Sequence, residues 1–195
     1  MLSRFSSETP NRLREIVTGD ETWAYYHDPE TKLMSMKWVR PGQERPTKIR
    51  RQRSVKKTMF IVFFDCSGIV SKSKLIPRPG RKTVNALFYT QNCLSKLVKV
   101  LWKKRPKSGT RGIFLHHDNA SSHTAALTKN FLNKNQLRLL PQPPYSPGLA
   151  SCDFFLFPKL KEKLKGITFE TEKQLTCAIS KSLNVPFRKR FFSCL

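Results

Sequence analysis

Three aspartates have the residue type and the placement that metal-dependent chemistry requires. Asp20 leaves an apolar stretch, Asp118 follows the short apolar run 112–115 and two histidines, and Asp153 follows a proline-rich loop. The chain has only 13 acidic residues against 37 lysines and arginines, so acids at three predicted element ends are an unusual distribution. Carboxylates brought together repel one another unless a hard cation with oxygen ligands neutralises them. The distribution therefore predicts a site for Mg²⁺ or Mn²⁺.

Two such ions about 4 Å apart can stabilise the attacking and the leaving oxygen of a phosphoryl displacement. Esterase chemistry and ATP hydrolysis lack their motifs, since the sequence has no Gly-x-Ser-x-Gly elbow and no Walker-type phosphate loop. The alternative is three unrelated surface or capping acids, because Asp153 follows Ser151 and would suit a helix N-terminus. On residue types alone, both interpretations stay open.

The elements that must position these acids begin with strands. β-branched and aromatic residues predict strands at 16–26 and 36–39. Two apolar runs at 58–65 and 69–76, joined by Cys66-Ser67-Gly68, have the length and the glycine of a β-hairpin. Apolar residues spaced close to 3.6 predict a helix over 83–104.

The second half of the chain alternates between strands and helices. Strands are predicted at 112–115 and 136–140, helices at 122–133, 151–165 and 169–183, and a stiff proline loop at 141–148. Pro158 implies a kink or two abutting helical segments. A meander of strands followed by this alternation predicts an α/β fold, a mixed sheet flanked by helices.

The formal net charge of +24 points to a polyanionic partner, because such a surface repels itself unless a polyanion neutralises part of it. Nucleic acid fits better than an acidic membrane, since no basic amphipathic helix stands out. Residues 48–57 carry six positive charges in ten and predict an exposed loop, with a second basic cluster at 103–107. A solvated loop, a phosphate contact and a nuclear import signal all suit the segment 48–57.

The 195 residues suit a single domain inside the cell. The longest apolar run, 59–64, is far too short to span a bilayer, and the first residues have no apolar signal region. Five widely spaced cysteines, an odd number, predict reduced thiols and do not pair with histidines at zinc-ligand spacing.

Several motifs stand in a fixed order along the chain. They are Val17-Thr18-Gly19-Asp20-Glu21-Thr22-Trp23, Trp38-Val39-Arg40-Pro41-Gly42, His117-Asp118-Asn119-Ala120 with His123-Thr124-Ala125, Pro144-Tyr145-Ser146-Pro147, and Asp153 with Leu156-Phe157 and Leu160-Lys161. Between Asp118 and Asp153 lie 34 residues. In these motifs, and in that separation of the second and third acids, residues 2–183 resemble the catalytic domain of mariner-family transposases.

The resemblance implies a ribonuclease H-like fold, with Asp20, Asp118 and Asp153 as catalytic residues and as ligands of two Mg²⁺ or Mn²⁺ ions. The implied reaction is cleavage of double-stranded DNA at transposon ends, followed by strand transfer to a TA target. A homodimer and a nuclear location follow from it, with no membrane and no small-molecule substrate. The residues expected to bind DNA are Arg40, Lys48, Arg50, Arg51, Arg53, Lys56 and Lys57.

The resemblance also divides the chain, 1–195, into a catalytic domain with three special segments: a linker remnant at about 1–15, a basic insertion at about 26–57 and a truncated tail at 184–195. The family's helix-turn-helix would lie before Met1. Gly148 replaces the usual aspartate of the Pro-Tyr-Ser-Pro motif, and Ser151-Cys152 stands where Pro-Ser is usual. These departures leave a second function open, that of a truncated, catalytically inactive transposase-derived protein that binds nucleic acid.

The neighbours of the acids have predicted roles of their own. Glu21 is expected to point to the opposite strand face from Asp20 and to be solvated or salt-bridged. The histidines are expected to pack or cap rather than to bind metal, and His123 to orient the acidic loop by hydrogen bonding. Trp38 is expected in the core or an interface rather than stacked on bases.

Overall fold

The computed structural model describes residues 12–44, 52–75, 84–144 and 146–183. A five-stranded sheet with the order β3-β2-β1-β4-β5 forms its centre. The strands are β1 (Ile16–Tyr25), β2 (Lys57–Asp65), β3 (Gly68–Leu75), β4 (Phe114–His116) and β5 (Arg138–Leu140). This mixed sheet, flanked by helices, is the predicted fold class.

The sheet changes direction at β1. β1 and β2 pair antiparallel, with Asp20 opposite Val62, and β2 continues antiparallel into β3. On its other side β1 pairs with β4 in parallel, with Thr18 beside His116, and β4 pairs in parallel with β5. The meander therefore supplies one half of the sheet, and strands that return through helices supply the other.

Six α-helices, two π-helical segments and two 3-10 turns cover the sheet in the described part of the chain. The α-helices are α1 (Ala86–Phe88), α2 (Ser95–Lys104), α3 (Ser121–Thr124), α4 (Ala126–Lys134), α5 (Phe157–Leu164) and α6 (Glu172–Leu183). Two π-helical segments span Tyr89–Leu94 and Cys152–Leu156, and 3-10 turns span Arg12–Glu15 and Pro147–Leu149. None of these helices is long and apolar enough to cross a membrane.

β2 is buried on both faces and joins two apolar cores. Phe60, Val62 and Phe64 face the layer made by the π-helical segment Cys152–Leu156, α5 and α6. Ile61 and Phe63 face the opposite layer, which contains Leu97 and Leu101 of α2 together with Leu132 of α4. Because side chains alternate along a strand, one apolar run can serve both layers.

Most predicted elements are present with shifted ends. The hairpin at Cys66-Ser67-Gly68 is confirmed, and Pro158 lies in the first turn of α5, where the π-helical segment abuts it. The predicted helix 122–133 is instead two helices, since the chain is extended at Ala125 (ψ 147°). The predicted helix over 83–104 contains a π-helical segment. Ile76 and Thr83, at the predicted ends of two elements, lie outside the described residues.

The predicted strand at 36–39 is wrong. These residues form no regular element, and Met36 and Trp38 are exposed, Trp38 fully so. A core position for Trp38 is therefore also wrong, because no described layer covers the side chain. An apolar alternation predicts a strand only where a sheet is available to bury one of its faces.

Gly19 allows β1 and β2 to approach closely beside Asp20. A Cβ at this position would lie 2.1 Å from Cδ1 of Phe63, the residue paired with Gly19 in β2. Because Phe63 is buried, Gly19→Ala should overpack the core and lower the stability by about 1–3 kcal/mol, a fall in Tm of about 3–10 °C. Circular dichroism melting checks this prediction.

Gly148→Ala is the matched control for Gly19→Ala. Among the described residues, no atom lies within 4 Å of a Cβ at Gly148, so we expect the melting temperature of Gly148→Ala to stay at the wild-type value. Equal melting temperatures for the two alanine variants would contradict the close approach at Gly19.

Candidate active site

Two of the three aspartates come from neighbouring strands of the sheet. Asp20 lies within β1, paired with Val62, so its predicted place at a strand end is wrong, whereas Asp118 follows the end of β4 as predicted. β4 ends at His116, beside Thr18 of β1, and each chain continues for two residues to reach Asp118 and Asp20. Side chains two residues apart in a strand share a face, so Asp20 lies on the same face as Thr18. The carboxyl ends of parallel strands are also where α/β sheets usually place their ligand sites.

The third aspartate comes from the helical layer over this face. In the π-helical segment Cys152–Leu156 the side chains of Cys152, Phe155 and Leu156 are buried in the core shared with β1 and β2. Asp153 lies between them in sequence and is exposed. A π-helix packs five residues into little more than one turn and is frequent at functional sites.

The charges of the three carboxyl groups act on one another. Burial raises the pKa of Asp20 to about 7, against the hydrogen bond that the Glu21 backbone N–H donates to Oδ1 (2.7 Å). The negative charges of Glu21, Asp153 and Asp118 raise that pKa further. Burial also raises the pKa of Asp153; Lys161 opposes this shift and Asp118 adds to it. The site therefore has excess negative charge.

Hard carboxylate oxygens with unbalanced negative charge fit Mg²⁺ or Mn²⁺ by donor type. As placed, however, no three or more His, Cys, Asp or Glu side chains of the described residues form a group that could hold a metal ion. The backbone therefore brings the three aspartates to one place, and their side chains do not enclose a coordination site.

Asp118 is the most tightly oriented of the three. Its Oδ1 accepts hydrogen bonds from the Ala120 backbone N–H (3.1 Å) and from Nδ1 of His123 (2.6 Å). The bond to His123 is the main reason that the pKa of Asp118 is lowered, while burial acts in the opposite direction. Asp118 is thus held as a carboxylate with Oδ1 fully engaged.

His123 joins Asp118 to Glu21 across the end of the sheet. Its side chain is buried, and its Nε2 lies 3.2 Å from Oε1 of Glu21. Burial lowers the pKa of His123, but the hydrogen bonds to Asp118 and Glu21 outweigh it and raise the pKa to about 9. Glu21 is expected from the sequence to be solvated or salt-bridged, and the structure pairs it with His123.

Two aromatic rings pack around His123. The His117 ring stacks on it at 4.6 Å with an interplanar angle of 4°, and the Tyr89 ring lies 4.3 Å away. The Tyr89 hydroxyl hydrogen-bonds to Nδ1 of His117 (2.9 Å). Burial, followed by the His123 charge, lowers the pKa of His117 to about 3. In the sequence, the position of His123 five residues after Asp118 points to its role beside that aspartate. No sequence signal points to Tyr89 as a residue of the site.

The basic residues expected to bind DNA are only partly covered by the structure. Arg40 is exposed in the insertion, whereas Lys48, Arg50 and Arg51 lie outside the described residues. Arg53 pairs with Asp28 (2.8 Å) and covers the Tyr25 ring. Lys56 lies over the Tyr26 ring at 4.3 Å and Lys57 over the Trp23 ring at 4.4 Å.

A groove links the basic insertion to the acidic site. It has a volume of about 270 Å³, and it is lined by Arg53 and by Asp153 and Lys161 of the helical layer. Trp23 and Tyr25 of β1 also line it. The groove brings cationic and aromatic side chains next to one of the three aspartates.

The strand order, the parallel β1–β4 pair and the helical layer that carries Asp153 define a ribonuclease H-like domain, with Asp20 within β1 and Asp118 just after β4. A family model described as "Transposase (partial DDE domain)" matches residues 28–111, a range that lies between Asp20 and Asp118. The Mariner Mos1 transposase of Drosophila mauritiana is 37% identical over 174 residues, which are 88% of this chain and 48% of that protein.

Solved structures agree with the sequence match. The crystal structure of the catalytic domain of Mos1 mariner transposase has a TM-score of 0.72 at 30% identity, over 96% of this chain and 78% of that chain. The Mos1 mariner paired end complex with Mn has a TM-score of 0.77 at 35% identity, over 93% and 51%. The chain belongs to the mariner transposase family. It spans about half the length of the Mos1 transposase.

Proposed function

We propose that this domain cleaves DNA strands and transfers them as the catalytic part of a mariner-type transposase, with Asp20, Asp118 and Asp153 as its catalytic residues. The observation that carries the proposal is the electrostatic coupling of the three carboxyl groups where β1, β4 and the π-helical segment Cys152–Leu156 meet. Nothing in a purely structural role requires negative charge to be gathered at one place in a chain of net charge +24.

The three carboxylates are proposed to hold two Mg²⁺ or Mn²⁺ ions. Such ions supply charge stabilisation for the attacking and leaving oxygens of a phosphodiester and lower the pKa of bound water. With Oδ1 of Asp118 held by Ala120 and His123, Oδ2 is the atom left to act as a ligand. The side chains of Asp20 and Asp153 must rotate toward the held Asp118 carboxylate when an ion binds, because as placed the three do not enclose one.

DNA is the proposed substrate, bound along the groove and the basic insertion. Arg40, Lys56 and Lys57 are exposed cations of the insertion, and Lys48, Arg50 and Arg51 belong to the same segment of sequence. Backbone phosphates attract such residues regardless of base sequence. A nuclear location follows from this substrate and from the basic run.

A homodimer is proposed from the apolar side chains of the insertion. Leu33, Met36 and Trp38 are exposed by 76%, 58% and 105%, respectively. Exposed apolar groups this close in sequence are typical of a protein interface. A second copy of the chain is the proposed partner, in line with the solved paired end complex of the related Mos1 transposase.

Divalent-dependent nicking of supercoiled plasmid tests the proposed function. The wild-type chain should convert plasmid to the nicked form with Mg²⁺ or Mn²⁺, and EDTA should stop it. Asp118→Ala removes one ligand oxygen pair and should abolish the reaction. Equal nicking by the wild type and this variant would refute the assignment.

The second candidate is an inactive DNA-binding derivative of a transposase. The carboxyl groups that do not enclose an ion favour it, as do Gly148 and Cys152 in place of the usual family residues. It shares the basic surface and predicts DNA binding without any divalent-dependent nicking. The same plasmid assay, run beside a DNA-binding measurement, separates the two functions.

A further inference from the structure

We propose that His123 is a positioning residue that holds the Asp118 carboxylate in the orientation needed to bind a divalent ion, an inference that rests on the proposed function. Two donors converge on the same oxygen: the Ala120 backbone N–H at 3.1 Å and Nδ1 of His123 at 2.6 Å from Oδ1. The carboxylate cannot turn about its Cβ–Cγ bond without breaking both hydrogen bonds. The pair therefore fixes which oxygen faces the site.

The ring of His123 is itself held from three sides. Glu21 accepts from Nε2 at 3.2 Å, and since a carboxylate only accepts hydrogen bonds, each ring nitrogen that faces one must donate. His117 stacks flat against one ring face at 4.6 Å. With its side chain fully buried, His123 has no room to leave Asp118 for solvent.

The chain order explains why one histidine can do this. Asp20 and Glu21 are consecutive in β1, so their side chains point to opposite faces of the sheet. His123 approaches from the face that Glu21 occupies and reaches Asp118 beyond the end of β4. Glu21 is thus assigned to anchor the positioning residue and is not a metal ligand. Residues that hydrogen-bond to a metal ligand orient that ligand, and their mutation typically weakens metal binding by about 10- to 100-fold.

Two amide substitutions separate positioning from packing. His123→Asn places an N–H where Nδ1 stood and retains the hydrogen bond to Asp118, whereas His123→Gln places one where Nε2 stood and retains only the bond to Glu21. Both variants lose the imidazole ring and its stacking on His117. A merely structural role of His123 would therefore affect both alike.

Binding of Mn²⁺ to the full chain is measured by isothermal titration calorimetry, without DNA or turnover. We expect His123→Asn to bind within about threefold of wild type and His123→Gln to bind about 10- to 100-fold more weakly. His116→Asn, which also replaces a buried histidine near the sheet end, should bind as wild type does. Equal affinities for the Asn and Gln variants at position 123, whether strong or weak, would overturn the assignment.

Nuclear magnetic resonance of the ¹⁵N-histidine-labelled wild type keeps the test decisive should either variant fail to fold. A His123 imidazole N–H signal should be present, should shift when Mg²⁺ is added and should move in Asp118→Asn. A signal that ignores both changes overturns the positioning role. If the wild type binds neither Mn²⁺ nor Mg²⁺, the proposed function fails together with it; binding that Asp118→Asn weakens, with equal position-123 variants, refutes the positioning role alone.

Discussion

Asp20→Asn is expected to abolish divalent-dependent nicking, by about a thousandfold or more, while making the metal-free protein more stable. Activity is lost because the amide cannot supply the negative oxygen that a hard cation needs. Stability rises because burial, with a smaller contribution from the neighbouring negative charges, raises the pKa of Asp20 to about 7. The asparagine Oδ1 can still accept the hydrogen bond from the Glu21 N–H.

The gain in stability should depend on pH with a definite sign. In the unfolded chain the pKa of Asp20 returns to its ordinary value near 3.8, so the folded state binds the proton more tightly. Wild-type stability then falls as the pH rises from about 4 to about 7 and is lowest above that range. Asp20→Asn should raise Tm by about 5–10 °C near pH 8 and by almost nothing near pH 4.

Differential scanning fluorimetry across this pH range measures the effect. Glu170→Gln serves as the control, because it also removes one carboxylate, but an exposed one. It should leave Tm and nicking at their wild-type values. A melting temperature for Asp20→Asn that stays at or below the wild-type value near pH 8 would show that Asp20 is not an electrostatic burden in the fold. Retained nicking would remove it from the catalytic residues.

The strands of the meander could be predicted because their signals are local. Residues 58–65 and 69–76 combine β-branched and aromatic side chains with a tight Gly-containing connection, and the hairpin lies where this pattern ends. The π-helical segments could not be predicted from periodicity, since apolar spacing near 3.6 is the same in an α-helix that contains one wider turn. The backbone hydrogen bonds reveal the wider turns, since the N–H of Ser95 donates to the carbonyl of Thr90 and that of Phe157 to the carbonyl of Cys152.

The exposed apolar residues of the insertion mark the limit of local pattern. At 36–39 the alternation of Met36 and Trp38 satisfies the strand rule, yet both side chains are exposed. Such alternation reports that one face is apolar and does not report what covers it. A surface meant for another molecule gives the same signal as a surface meant for the core.

For the site, the sequence places the acids but not the groups that orient them. Asp20 lies within one predicted strand and Asp118 follows another, and the parallel pairing of β1 with β4 brings the two positions together. His123 links Asp118 to Glu21, which lies 102 positions away from it in the sequence. This link depends on the parallel pairing of β1 with β4. A pattern of neighbouring residues cannot predict a contact between residues so far apart in the sequence.

DNA affinity should fall by about 10³- to 10⁵-fold between roughly 50 and 200 mM salt if six to ten phosphates are contacted, as the charge of +24 suggests. Each neutralised phosphate releases condensed counterions, so the slope of log affinity against log salt counts the contacts. Fluorescence anisotropy with a short labelled duplex provides the measurement. A flat response would contradict both the active transposase and the inactive DNA-binding derivative.

Single substitutions then assign the contacts to the insertion side of the groove. Lys57→Ala should reduce the salt slope by about one, because its ammonium is exposed and lies over the aromatic rings of Trp23 and Tyr25. Arg53→Ala should reduce it less, since Asp28 already neutralises that guanidinium at 2.8 Å. Lys134→Ala, an exposed charge at the end of α4 in the helical layer opposite the one that carries Asp153, should leave the slope unchanged. If all three variants lowered the slope equally, the net charge of the whole surface would attract DNA, and the insertion would not be the DNA-binding surface.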